Sequence, residues 1–136
     1  MSKVAIQGHV SGTGTVTLKA PNTNSSYTIN LPSEDIGTLT DGATITPDFA
    51  TNNNFTVTLG DNRTMANPSN LVAGQSGSIF IVQDATGSRT LSWGSYWDFS
   101  GGVAPILSAT ANAVDRVDYI VRSTTSIHAV WTGNYS

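Results

Sequence analysis

The sequence predicts an all-β fold, an antiparallel β-sandwich or jelly-roll-like barrel carrying a small N-terminal β arm. Three observations lead there. Charged residues make up only 11% of the 136-residue chain, against about 25% in an ordinary soluble domain, and its polarity comes from Thr, Ser, Asn and Gly. Short segments alternate apolar and polar residues with period two between turn residues, which is the pattern of half-buried strands. No segment sustains the 3.6-residue period of an amphipathic helix. Low charge does not signal disorder here, because disordered chains are usually charged and poor in the β-branched residues that recur in this one.

Residues 1–32 read as a β arm or attachment segment. Val4 and Ile6 alternate with polar or small neighbours, and Gly12-Thr13-Gly14 marks a turn. Val16 and Leu18 then share a strand face, Pro21-Asn22-Thr23-Asn24 turns the chain, and Tyr27, Ile29 and Leu31 share another face. A β-hairpin of this size is marginal alone in water, so the arm is expected to need a partner surface. Residues 33–53 read as a connector, with a helical turn at Ser33-Glu34-Asp35-Ile36-Gly37, a turn at Asp41-Gly42 and a loop from Thr51 to Asn54.

Residues 54–136 read as the main β-sandwich domain. Phe55, Val57 and Leu59 line one strand face, and turns follow at Gly60-Asp61-Asn62, Asn67-Pro68-Ser69-Asn70 and Gly74-Gln75-Ser76-Gly77. Ile79-Phe80-Ile81-Val82 is apolar at both parities, which predicts a central strand buried on both faces. Residues 64–83 carry no charge, as expected of a core or a subunit contact. Leu91 and Trp93 lead into a glycine-rich aromatic loop, and strands over 117–122 and 127–132 form a closing hairpin around Ser123-Thr124-Thr125-Ser126.

The charge pattern narrows the function classes. Net charge is −3 and the six Lys and Arg residues are scattered, so no basic patch is available for a phosphate backbone and nucleic acid is not an expected partner. The absence of cysteine excludes disulfides and thiolate zinc sites. No segment has the apolar length of a signal peptide or a membrane span, so the chain is expected to be a cytosolic product used without cleavage, with no membrane partner.

Catalytic constellations are sparse. His9 and His128 have no accompanying nucleophile motif, and a structural role outweighs a catalytic one for each. Gly74-Gln75-Ser76-Gly77-Ser78 misses the nucleophile-elbow pattern at its last position. Asp115 and Asp118 flank Arg116, but residues three apart on a strand point to opposite faces, so they make ion pairs rather than a glycosidase pair. Asp84, Asp98 and Asp115 lack the dense carboxylate spacing of a calcium loop. The expectation is a protein without catalytic residues, metal or cofactor. The sharpest candidate is the loop bearing Trp93, Tyr96, Trp97 and Phe99, whose rings could stack on sugars. Packing into the core or a subunit contact is the favoured reading, because large aromatics are mostly buried.

Two stretches carry a resemblance. Gly14-Thr15-Val16-Thr17-Leu18-Lys19-Ala20-Pro21-Asn22-Thr23 with Tyr27-Thr28-Ile29-Asn30-Leu31-Pro32 resembles short β elements of phage fibres and other virion appendages. A longer one runs through Asn54-Phe55-Thr56-Val57-Thr58-Leu59-Gly60, Asn62-Arg63-Thr64, residues 74–84, Leu91-Ser92-Trp93-Gly94-Ser95-Tyr96-Trp97 and Val117-Asp118-Tyr119-Ile120-Val121-Arg122. It is similar to the terminal β-domains of fibre-type and decoration-type proteins of tailed phages and prophages. The resemblance covers most of residues 14–32 and 54–135. It implies a non-enzymatic virion protein, made in the bacterial host cytoplasm, that works as a homotrimer on the outer surface of the particle.

A full fibre has a long shaft, whereas only about thirty residues precede the connector, a span of at most roughly 100 Å if stretched. The expectation therefore leans to a capsid decoration (cement) protein. The alternative is a short head or tail fibre, or a receptor-binding tip that recognises a host surface glycan. On the cement reading Ile79, Phe80, Ile81, Val82, Tyr119 and Trp131 form the trimer and core positions. Val4, Ile6, Val16, Leu18, Tyr27, Ile29 and Leu31 attach the arm to the major capsid protein or other virion proteins. Trp93, Tyr96, Trp97 and Phe99 form the glycan or interface loop.

Overall fold

A computed structural model describes residues 3–7, 15–19 and 35–135, with the backbone alone for the first two segments. In the arm, β1 (Lys3–Gln7) and β2 (Thr15–Lys19) pair antiparallel, with Val4 opposite Leu18 and Ile6 opposite Val16. The expected turns at 12–14 and 21–24 and the strand of Tyr27, Ile29 and Leu31 lie outside the described residues, as does His9.

From residue 37 the chain alternates between two sheets. β3 (Gly37–Thr38), β5 (Phe55–Leu59) and β7 (Ser76–Gln83) lie side by side in the larger sheet, and all are parallel. β4 (Thr44–Ile45), β6 (Arg63–Met65) and β8 (Leu91–Trp93) form the smaller one, again all parallel. Each pass of the chain therefore lays one strand in each sheet, and the next pass stacks on it, giving a three-turn coil. β9 (Trp97–Phe99), β10 (Val114–Ser123) and β11 (Ser126–Thr132) complete the larger sheet in the order β3-β5-β7-β10-β11-β9. β10 is antiparallel to β7 and β11, and β9 is parallel to β11.

The predicted antiparallel sandwich is thus corrected to a mixed six-stranded sheet and a parallel three-stranded sheet, still all-β with no α-helix among the described residues. Parallel neighbours cannot be joined by a tight hairpin. Here the second sheet supplies the crossover that a helix supplies in α/β folds. The sequence repeats accordingly. Asp41-Gly42-Ala43-Thr44-Ile45 matches Asp61-Asn62-Arg63-Thr64-Met65, with Thr44 beside Thr64 and Ile45 beside Met65 in the ladder. Three residues later Asp48 bridges Ser69, and the preceding Pro47 and Pro68 are both buried.

The coil also corrects the connector. Gly37, expected in a helical turn, begins β3, and residues 37–53 make the first turn of the coil, placing Ile45 and Phe49 in the core. That core is filled from both sheets: Phe55, Val57, Ile79, Ile81, Val117 and Ile127 come from the larger one, and Ile45, Met65 and Leu91 from the smaller. β7 is central, as its apolar run predicts, but only Ile79 and Ile81 are fully buried. Phe80 and Val82 are half-buried on the outer face, so burial on both faces is corrected to burial on one.

Charge serves the turns between strands. The Asp41 carboxylate accepts two bonds from Arg63, at 2.8 and 2.7 Å. Asp84 accepts from the Arg89 guanidinium at 2.7 Å and from the backbone N–H groups of Thr86 and Gly87. Asp48 accepts from the Asn70 amide and the Ala50 N–H. These hydrogen bonds, led by Arg63, Arg89 and Asn70 respectively, hold all three carboxyls below the usual aspartate range. A depressed folded-state pKa means that the unfolded chain takes up protons first on acidification, so the stability it confers is present above about pH 4 and lost below it. The melting temperature is expected to fall between about pH 7 and about pH 3, and to fall less in Asp41→Asn, which has already lost the titrating group. Equal slopes by circular dichroism would show that Asp41 contributes nothing to acid sensitivity.

Candidate interaction surface

The aromatic loop is built by a close approach of two turns of the coil. Gly94 lies against Asn67, where an added Cβ would sit 2.4 Å from Asn67 Oδ1 and 2.8 Å from its backbone N. The same Oδ1 accepts the backbone N–H of Tyr96 at 2.9 Å, and the Trp97 indole N–H donates to the Ala66 carbonyl at 3.0 Å. These bonds turn Trp97 inward, where it is 6% exposed and meets Phe49 and Tyr119 edge-on at 6.4 and 6.3 Å. Trp93 packs edge-on against Trp97 at 5.1 Å and Phe99 at 4.9 Å. Trp97 presents no free ring face to a sugar, and Trp93, Tyr96 and Phe99 are partly buried against the core.

The exposed apolar area lies elsewhere. Strand alternation turns Phe80 and Val82 of β7, Ile120 of β10 and Val130 of β11 to the outer face of the larger sheet. Ile120 is 51% and Val130 62% exposed. A 3-10 turn (Ser100–Gly102) then leads into a strap over residues 103–113, in which Val103 is 73% and Ile106 88% exposed while Leu107 turns into the core. Between strap and sheet runs an open groove of about 520 Å³ lined by Phe99, Val103, Pro105, Ile106, Val130 and Trp131. A neighbouring depression lined by Asp98, Asp118, Ile120 and His128 shares Phe99 and Val130 with it, so the patch is continuous.

Among the residues expected at trimer and core positions, Ile79, Ile81 and Tyr119 are in the core, Phe80 and Val82 are on the outer face, and Trp131, 36% exposed, is a surface residue rather than a core one. Of the arm residues, Val4, Ile6, Val16 and Leu18 sit on the β1–β2 ladder. Strand geometry places Asp115 and Asp118 on opposite faces. Asp118 pairs with Arg116 at 2.9 Å and accepts from the Ser78 hydroxyl at 2.6 Å. Asp115 is instead buried and makes no ion pair among the described residues. Its carboxylate accepts the backbone N–H groups of Ser108 at 2.7 Å and Asn134 at 2.8 Å, which pins the strap and the C-terminal tail to β10. Sequence reasoning missed this anchor, and it missed Phe49, Val103 and Ile106. The uncharged run from Phe99 to Val114 was the available signal for the last two.

Residues 45–125 match a family model described as "Putative phage tail fibre C-terminal domain". The match spans well over half of the chain. This chain belongs to that phage tail fibre family. No curated protein and no solved structure matches it. The tail fibre family makes this a virion protein of fibre type, and it favours the fibre alternative over the capsid-cement reading, for which the comparisons offer no support. The match begins in β4 and ends in the β10–β11 turn, so the tail fibre domain includes most of the parallel coil and the strand that caps it.

Proposed function

We propose that this tail fibre domain is the distal structural end of a tailed-phage fibre, that it works as a homotrimer, and that it catalyses no reaction. The observation that carries the reading is the unequal treatment of the two ends of the coil. At the upstream end, the outer edges of β3 and β4 are unpaired among the described residues. An open pair of strand edges suits continuation by further chain. At the downstream end the parallel coil gives way to the antiparallel β10–β11 hairpin, which pairs beside β7 with the short β9 outermost, and the strap is fastened to β10 through Asp115. Stacked folds need such a cap where they stop. A parallel coil that ends in an antiparallel hairpin fits the end of a fibre better than a plate spread over a shell.

Recognition of a host surface glycan fits a distal position, and Tyr135, 50% exposed, offers aromatic area for it where Trp97 does not. The arm residues Val4, Ile6, Val16 and Leu18 would then meet other virion proteins of the tail. Antibody fragments raised against the purified chain should decorate fibre ends in electron micrographs of intact particles. Decoration of the head shell would overturn the fibre reading and restore the cement one.

A further inference from the structure

We infer that the outer face of the larger sheet, together with the strap, is the surface by which copies of this chain contact one another. The inference rests on the homotrimer proposed above and deepens it by naming the surface. Val103, Ile106, Ile120 and Val130 are all exposed and border two adjoining depressions on one surface. All four are more than half exposed and adjoin one another, a clustering that marks an interaction surface, whereas singly scattered apolar residues are ordinary.

The chemistry of the face points to a second copy as its occupant. The strap from Phe99 to Val114 carries no charge. On the sheet, Arg116 is neutralised by Asp118 at 2.9 Å, and Asp98 accepts a bond from the Ser126 hydroxyl at 2.7 Å. Where the strap meets Val130 the lining of the groove carries no charge, and an uncharged apolar surface attracts one of the same kind. The strap projects Ile106, and beside it lies the groove of about 520 Å³ floored by Phe99, Val130 and Trp131. Ile106 of one copy set against the groove of the next makes a heterologous contact, and such a contact forms a closed ring when its rotation is a whole fraction of a turn, one third in the trimer proposed here.

Light scattering on the full chain after size exclusion tests this, with three variants. Wild type should be trimeric, Ile106→Asp and Val130→Asp should dissociate at least 10-fold more readily with unchanged circular dichroism, and Val72→Asp should remain trimeric. Val72 is also exposed but lies off this face. A second readout needs no disruption. The chain has no cysteine, so Ile106→Cys and Val72→Cys each carry one thiol, and a maleimide should label the former at least 10-fold more slowly in the assembled protein. If wild type is a trimer but both aspartate variants assemble normally, or if both thiols label equally fast, the surface is wrong while the trimer stands. If wild type is a monomer, the trimer itself fails.

Discussion

Gly77→Ala is expected to take a large share of the stability of the domain. Gly77 lies on β7 opposite Tyr119 of β10. An alanine Cβ there would sit 1.8 Å from the Asn53 carbonyl oxygen, 2.7 Å from its carbon and 2.9 Å from the Tyr119 hydroxyl. That carbonyl is already the acceptor for the Tyr119 hydroxyl at 2.7 Å, and the adjacent Asn54 side chain accepts the Ser78 N–H at 3.1 Å. The obstruction is therefore main chain held on both sides, and it cannot swing away as a side-chain tip would. Forcing it apart costs about 1–3 kcal/mol or more as overpacking. Stranding the buried hydroxyl and carbonyl adds about 1–3 kcal/mol. A domain of this size has only ~5–15 kcal/mol to lose. Gly42→Ala is the control, since its Cβ would meet only the Thr44 carbonyl at 3.7 Å. Urea titration followed by circular dichroism should show a large drop in midpoint for Gly77→Ala and almost none for Gly42→Ala. Matching midpoints would mean that the Asn53 loop does not cross β7 as described.

The contrast between these two glycines shows what the sequence could reveal. Turn chemistry located Gly42, whereas Gly77, expected in a turn, lies in β7, and nothing in Gly74-Gln75-Ser76-Gly77 says that the loop at Asn53 passes within contact distance. The long strands were legible for a similar reason. Phe55, Val57 and Leu59, and likewise Val117, Tyr119 and Val121, alternate cleanly and are buried. Alternation fixes which side chains share a face and leaves the direction of the neighbouring strand open, because parallel and antiparallel ladders place side chains alike. β3, β4, β6 and β8 are two or three residues long, too short for any periodic signal. Their signature was the repeat of Asp, Thr and an apolar residue at 41–45 and 61–65 followed by a buried proline, and a period near 20 residues is the mark of a stacked coil. Phe80 and Val82 misled for a different reason. An apolar run on a central strand looks the same whether its second face is covered by its own chain or left open. The virion class was readable from residues 54–135, which largely overlap the tail fibre match at 45–125. Head and tail were not separable, since the inference that favoured the head came from chain length and not from side-chain chemistry.

Phe49→Ala is expected to cost about 3–5 kcal/mol, the range for removing a buried phenylalanine. Phe49 follows β4 in the first turn of the coil and is 2% exposed. Its ring stacks on Tyr119 at 4.6 Å and on Phe55 at 5.8 Å, and meets Trp97 edge-on at 6.4 Å. One side chain thus joins the first turn, the second turn, the aromatic loop and the capping hairpin. Its backbone is fixed as well, with the N–H donating to Ser69 O at 3.1 Å and the carbonyl accepting from Gln75 Nε2 at 2.7 Å. Since those bonds hold the neighbours in place, the cavity left by alanine cannot collapse, and the cost belongs at the upper end of the range. Phe49→Leu should cost roughly 2 kcal/mol less, because it restores part of the volume without the ring contacts. Trp97 adds a second readout: its indole would border the new cavity, and native-state fluorescence should shift to longer wavelength in Phe49→Ala as water reaches it. Val72→Ala, at an exposed site, should change neither quantity. Were Phe49→Ala as mild as Val72→Ala, residues 37–53 would be a connector after all, and the coil would have two turns instead of three.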